Sequence, residues 1–192
     1  TRDSFRRRKY LSRKRSQRHK IDRVSADYIG MLSTIMNGIA LSNFLREKGH
    51  SNKLFSSFAI GNFVQAYNTE DALNALMNQK VVLLVGGIGN PLFTTDSTAS
   101  IRANELEVDF MLKATNVNGV YDTDPKENPK AKKFENLTFD DAINQNLQVM
   151  DQTALCFCRD NNLQVRVFNA DEKDGFETVS YTHLRAHETQ RY

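Results

Sequence analysis

Apolar residues from Val24 onward recur at three- and four-residue spacing. Ala26, Ile29, Met31, Leu32, Ile35, Met36, Ile39 and Ala40 share a helical period, which predicts a long helix running toward Lys48 and Gly49. A basic last turn followed by Gly49 is a stop signal. A short extended piece is expected at Leu54–Ile60, then a helix from Thr69 through Met77. Lys80–Val85 is apolar without alternation, the pattern of a strand covered on both faces of a parallel sheet. Next come a helix over Thr95–Glu105 and a strand over Val108–Lys113. The polar stretch Thr115–Lys133 is read as a loop. Thr138–Asp141 resembles a capping box, Asp151 caps the helix after it, and Gln164–Phe168 forms a further strand. Strands alternating with helices imply an α/β fold with right-handed crossovers and a mainly parallel sheet.

The candidate chemistry lies in two loops that follow strands, where open α/β sheets hold ligands. The first, Gly86–Asp96, reads GGIGNPLFTTD. Its glycines allow tight turns and close backbone approach, and Thr94 and Thr95 bring hydroxyls to a helix start, which favours anions. A glycine-rich strand-to-helix turn with a capping threonine explains the same residues. The dinucleotide fingerprint fails, because the G-x-G-x-x-G spacing is absent. The second loop, Lys113–Pro125, reads KATNVNGVYDTDP. Tyr121 offers a face for a base, and Asp122 and Asp124 offer acceptors for a ribose or a metal-bound phosphate. An Asx-rich surface turn is the plain alternative.

Charge changes the picture at one end only. The formal net charge is +3, yet the first twenty residues hold ten Lys or Arg and one acid, leaving 16 basic against 22 acidic residues elsewhere. Such a head suggests a nucleic-acid arm or a solvated tail. Hydrophobic residues make up 40% of the chain, and no apolar run reads as membrane-spanning. The start lacks the apolar core of a secretory signal. Cys156 and Cys158 diverge on a helix and so suit packing better than a bridge or a metal site. A soluble cytoplasmic protein without a membrane partner is the expectation.

GGIGNPLFTTD, KATNVNGVYDTDP and VMDQTALCFCRDNNLQVRVFN, in this order, resemble the bacterial uridylate kinase (UMP kinase) family of the amino-acid kinase superfamily. Asp22–Leu41 resembles the helix that precedes them, and the likeness covers Ile21 to Asn169. It implies a three-layer αβα sandwich, incomplete at both ends, and transfer of the ATP γ-phosphoryl group to UMP with Mg2+. Carried across residue by residue, Asp27 contacts the UMP ribose. Ile88, Gly89, Asn90, Pro91, Leu92, Phe93, Thr94 and Thr95 wrap the UMP, with Asn90 near the uracil and Thr95 near the phosphate. Thr115, Tyr121 and Asp124 line the ATP site, and the catalytic residue carried over is Asp151, which matches an acid that helps organise the catalytic lysine region. No dedicated metal ligands are expected in the chain. The family is a homohexamer, which implies a homo-oligomer here, with the long helix near a dimer contact.

The family's lysine-bearing first strand and its arginine-bearing glycine turn are not legible before Ile21. Arg6–Arg15 can be encoded so that a one-base shift reads Gly-Gly-Gly-Asn-Ile-Phe-Arg-Gly-Asn, that very turn. Residues 1–20 are therefore expected to be a frameshifted or disordered head, 21–178 a partial kinase domain, and 179–192 an adaptor-like, non-native tail. His183 and His187 in that tail share the spacing of a helical metal pair but are assigned no metal. On this view the polypeptide is catalytically incomplete. The alternatives are a non-catalytic nucleotide-binding module of the same fold and, more remotely, a nucleic-acid binder using the basic head.

Overall fold

The computed structural model describes residues 21–172 and the backbone of a strand at Thr182–Arg185. The basic head and the side chains of His183 and His187 lie outside the described residues. The chain divides into two units, one ending at Thr95 and the other starting at Asp96.

In the first unit, α1 (Arg23–Glu47) starts where the Asp22 carboxylate accepts the Ser25 amide at 3.0 Å and the Ser25 hydroxyl at 2.6 Å. Those bonds, the hydroxyl's first, hold the Asp22 carboxyl below its ordinary pKa. There follow β1 (Asn52–Ser56), β2 (Gln65–Ala66), α2 (Thr69–Met77) and β3 (Val81–Val85). The strands form one parallel sheet in the order β2-β1-β3, with Asn52 opposite Val81 and Ser56 opposite Val85. α1 lies on β1 and β3 through Met31, Ile35, Gly38 and Ser42. A Cβ on Gly38 would sit 2.6 Å from Val85 Cγ1, so the missing side chain is what lets helix and sheet approach.

Three expectations need correction here. By length and composition alone, the 25-residue α1 is long and apolar enough to cross a membrane. The sequence reading missed this because uncharged polar residues such as Ser33, Thr34, Asn37 and Ser42 interrupt its apolar stretch; in the fold, one face of the helix is taken by the sheet. β3 is not covered throughout: Val81 is 44% exposed and the rest of the strand is half-buried, because β3 forms an edge of its sheet. The extended piece stops at Ser56, since Ile60 turns back to bridge Val64.

The second unit contains α3 (Thr95–Glu105), which begins at the last residue of the first unit, and β4 (Phe110–Thr115). A small antiparallel ribbon of β5 (Val120–Tyr121) and β6 (Lys133–Phe134) lies inside the stretch expected to be loop. β7 (Asn136–Thr138), α4 (Phe139–Asn144), α5 (Gln152–Asp160), β8 (Gln164–Asn169) and β9 (Thr182–Arg185) complete it. The sheet order is β4-β8-β9-β7, with β4 parallel to β8 and β9 antiparallel to β8 but parallel to β7. The core gathers Phe139, Ala142, Ala154, Leu155, Cys158 and Val165. Within residues 179–192, β9 pairs on both sides, antiparallel to β8 and parallel to β7.

All five helices among the described residues end alike, with a left-handed residue at Gly49, Gln79, Glu107, Asn146 or Asn162. At each, the next amide reaches back to a carbonyl in the last turn, as Val108 does to Ala103 at 3.1 Å. Only one of the five is glycine. α3 ends where expected, but the glutamate at 107 gives no turn signal, and β4 starts two residues later than expected.

Candidate functional site

The glycine loop of the first unit leaves β3 in left-handed backbone, with φ of +81° at Gly86, +61° at Gly87 and +87° at Gly89. Alanine is excluded at Gly86 by more than φ, since a Cβ there would lie 2.8 Å from Ser56 Oγ and 2.9 Å from Ser57 Oγ. Ser57 Oγ lies 2.6 Å from the carbonyls of both Gly86 and Gly87. From α1, Thr34 Oγ1 accepts the Gly86 amide at 2.8 Å. Farther along, the Leu92 amide donates to Asp27 Oδ2 at 2.8 Å, and Arg23 Nε reaches the same oxygen at 3.0 Å. Two residues expected to touch UMP, Asp27 and Leu92, are thus bonded to each other. Asn90, Leu92, Phe93 and Thr95 are exposed along the loop, while Ile88, Gly89, Pro91 and Thr94 are half-buried.

The second unit brings Thr115, Tyr121 and Asp124 into the wall of one cavity of about 780 Å3, together with Lys113, Asp122 and Lys126. β4 carries Lys113 and Thr115 to its rim, and the ribbon carries Tyr121. The Thr115 hydroxyl is engaged with the Val117 backbone, at 2.6 Å to the carbonyl and 3.1 Å from the amide. Asp124 Oδ1 accepts the Lys126 amide at 2.9 Å, so this acid also shapes its own turn. Lys113 Nζ lies 2.5 Å from Asp96 Oδ2, with the two side chains 20% and 27% exposed.

Asp151 is not in the wall of that cavity. Its Oδ1 accepts the Ala154 amide at 3.1 Å as the cap of α5, and Ser97 Oγ donates to the carboxylate at 3.0 and 3.1 Å from its two oxygens. The structure shows Asp151 as the cap of α5, with its carboxylate anchored to α3 through Ser97.

A sequence model of the amino acid kinase family matches residues 4–169. The chain belongs to the amino acid kinase family. The uridylate kinase of Rickettsia prowazekii (strain Madrid E) is 44% identical over 159 residues, covering 83% of this chain and 66% of that protein. The uridylate kinase of Haemophilus influenzae (strain PittGG) is 46% identical over 159 residues, covering 83% and 67%. This amino acid kinase chain thus spans about two thirds of the length of these relatives. Among solved structures, the UMP kinase from Ureaplasma parvum superposes with a TM-score of 0.85 at 39% identity, over 91% of this chain and 77% of that one. The expected α/β architecture is therefore that of the amino acid kinases.

Within this kinase fold the sequence reading passed over Lys113, Asp96 and Ser97. Each was visible at the border of a loop, Asp96 directly after the paired threonines and Lys113 as the first residue of KATNVNG. Nothing in the sequence joined them, since Lys113 and Asp96 stand 17 residues apart.

Proposed function

We propose that this amino acid kinase is a uridylate kinase. A phosphate oxygen of UMP attacks the γ-phosphorus of ATP, the bond to the β-phosphate oxygen breaks, and UDP and ADP leave. The observation that carries the reading is the cavity whose wall gathers Thr115, Tyr121 and Asp124 with Lys113, three residues of one expected ATP site and a cation beside them. The uridylate kinase relatives support the choice of acceptor.

Phosphoryl transfer has a loose transition state and asks the protein for position and charge, not for covalent chemistry. In the first unit, Ile88–Thr95 supplies backbone amides and threonine hydroxyls to UMP, with Asn90 toward the uracil and Thr95 toward the phosphate. Asp27 contacts the ribose. In the second unit, Tyr121 lies against the adenine, Thr115 and Asp124 flank the nucleotide, and Lys113 offsets phosphate charge. Asp151 acts as the acid that organises charge near the transfer.

The donor chemistry of the cavity fits Mg2+ carried on the ATP phosphates. Asp122 and Asp124 bring carboxylates to its wall, and Mg2+ needs only one or two beside phosphate and water. Bound there, it neutralises phosphate charge. The enzyme works in the cytoplasm as a homo-oligomer. The exposed apolar row Val24, Tyr28, Leu32 and Met36 along α1, each at least 41% exposed, supports self-association on that helix.

Calorimetry with UMP and ATP, together with UDP formation from the pair, tests the proposal. Micromolar binding of UMP in preference to AMP and GMP is the expected result, and the UDP assay shows whether the chain, expected to be catalytically incomplete, also carries out the transfer. Binding of UMP without transfer favours the non-catalytic module, and no binding of either nucleotide defeats the proposal.

A further inference from the structure

The glycine loop is held at both ends by one helix. Thr34 Oγ1 accepts the Gly86 amide at 2.8 Å while its single proton goes to the Met31 carbonyl at 2.7 Å. The hydroxyl is therefore fixed in direction, with a lone pair aimed at the start of the loop. One heptad earlier on α1, Asp27 Oδ2 accepts the Leu92 amide at 2.8 Å. Leu92 has φ of +73°, a left-handed backbone that leucine adopts only when something holds it. Positions seven apart on a helix share a face and stand about 10 Å from each other along its axis. Between the clamped amides run Gly87–Pro91, and Ser57 secures the first carbonyls of that span at 2.6 Å. Arg23, one turn before Asp27, bonds the same carboxylate oxygen at 3.0 Å and keeps it in place.

We propose that α1 presets the 86–92 loop for its nucleotide through two backbone clamps, Thr34 on Gly86 and Asp27 on Leu92, which makes Thr34 a positioning residue. The inference rests on the reading of this loop as the UMP cradle. A loop already in its bound shape loses little conformational freedom on binding, so the clamps strengthen affinity without Thr34 touching the ligand. Asp27, at the exposed end, combines this duty with its ribose contact. Thr34, at the far end, has only the positioning duty and is the cleaner probe.

The test uses the full chain with Thr34→Val, Thr34→Ser and Asp27→Ala, and reads amide hydrogen exchange residue by residue beside calorimetry with UMP. Thr34→Val keeps the side-chain shape but removes the hydroxyl. It is expected to speed exchange at Gly86 and to weaken UMP binding about three- to tenfold, the worth of one hydrogen bond. ATP affinity is expected to hold, and in turnover the loss is expected in KM for UMP and not in kcat. Thr34→Ser restores both exchange protection and affinity, which a mere packing defect would not allow. Asp27→Ala speeds exchange at Leu92. Unchanged exchange at Gly86 and Leu92 in the variants overturns the clamps. Faster exchange with unchanged UMP affinity overturns the presetting. If the unaltered chain binds no UMP, the substrate reading fails, while the exchange data still judge the clamps.

Discussion

Ser97 donates its hydroxyl to the carboxylate of Asp151, lying 3.0 and 3.1 Å from its two oxygens and bridging 54 residues of sequence. The same carboxylate caps α5 at the Ala154 amide. Capping and charge can be separated by substitution. Asp151→Asn keeps a good cap and should melt within a few degrees of the unaltered chain, whereas Asp151→Ala should lose about 1–2 kcal/mol. If the negative charge serves the transfer, both variants lower UDP formation at least tenfold. A fully active Asp151→Asn would reduce this residue to a cap.

Lys113 and Asp96 form the partly buried ion pair beside the cavity. Lys113→Met should weaken ATP binding about tenfold or more, the worth of a hydrogen bond to a charged phosphate, and leave UMP binding in place. Tyr121→Ala should weaken ATP binding about five- to tenfold through lost stacking, and Tyr121→Phe should restore it. Calorimetry with each nucleotide in turn checks both, and equal losses for UMP and ATP would speak against an ATP-specific cavity.

Gly30 and Gly38 stand on the same helix and should respond to alanine with opposite signs. A Cβ at Gly30 meets nothing within 4 Å, so Gly30→Ala should stabilise the chain by about 0.5–1 kcal/mol through helix propensity. A Cβ at Gly38 would stand 2.6 Å from the stiff Val85 side chain and 3.0 Å from Leu54, so Gly38→Ala should cost about 1–3 kcal/mol. Urea denaturation of the two variants measures the difference.

Cys158 is buried with its thiol 3.2 Å from Ser100 Oγ, and burial pushes its pKa above the ordinary value. The folded state therefore keeps its proton where the unfolded chain gives it up. The sign follows: this site leaves stability untouched below the unfolded pKa of about 9 and lowers it as pH climbs from there toward the folded value. Cys158→Ala should remove that part of the alkaline loss. In the native protein a thiol reagent should modify half-buried Cys156 well before Cys158.

Much of the local structure was legible because its causes lie within a few residues. α2 and α3 keep their expected bounds, Thr138 and Asp151 cap the helices that follow them, and the glycines of the first loop take the left-handed backbone their sequence invites. Where local signals mislead, a non-glycine residue takes a glycine's part, as Glu107 does in the turn before the late-starting β4, or a polar stretch folds into a ribbon, as at Val120–Tyr121 and Lys133–Phe134. Of the cavity members, Tyr121 and Asp124 could be named from the loop itself, with an ordinary Asx turn as the alternative, and Thr115 only through the family likeness.

By itself the sequence settled where helices start, which turns need glycine, and that strands and helices alternate, because each depends on backbone preferences and caps acting over one or two turns. The pairing of distant polar atoms belonged to the tertiary structure. Thr34 meets Gly86 across 52 residues, Asp27 meets Leu92 across 65, and Ser97 meets Asp151 across 54. A hydrogen bond needs its two atoms within about 3 Å and aligned, and only helix placement and strand register bring residues that far apart to such a distance.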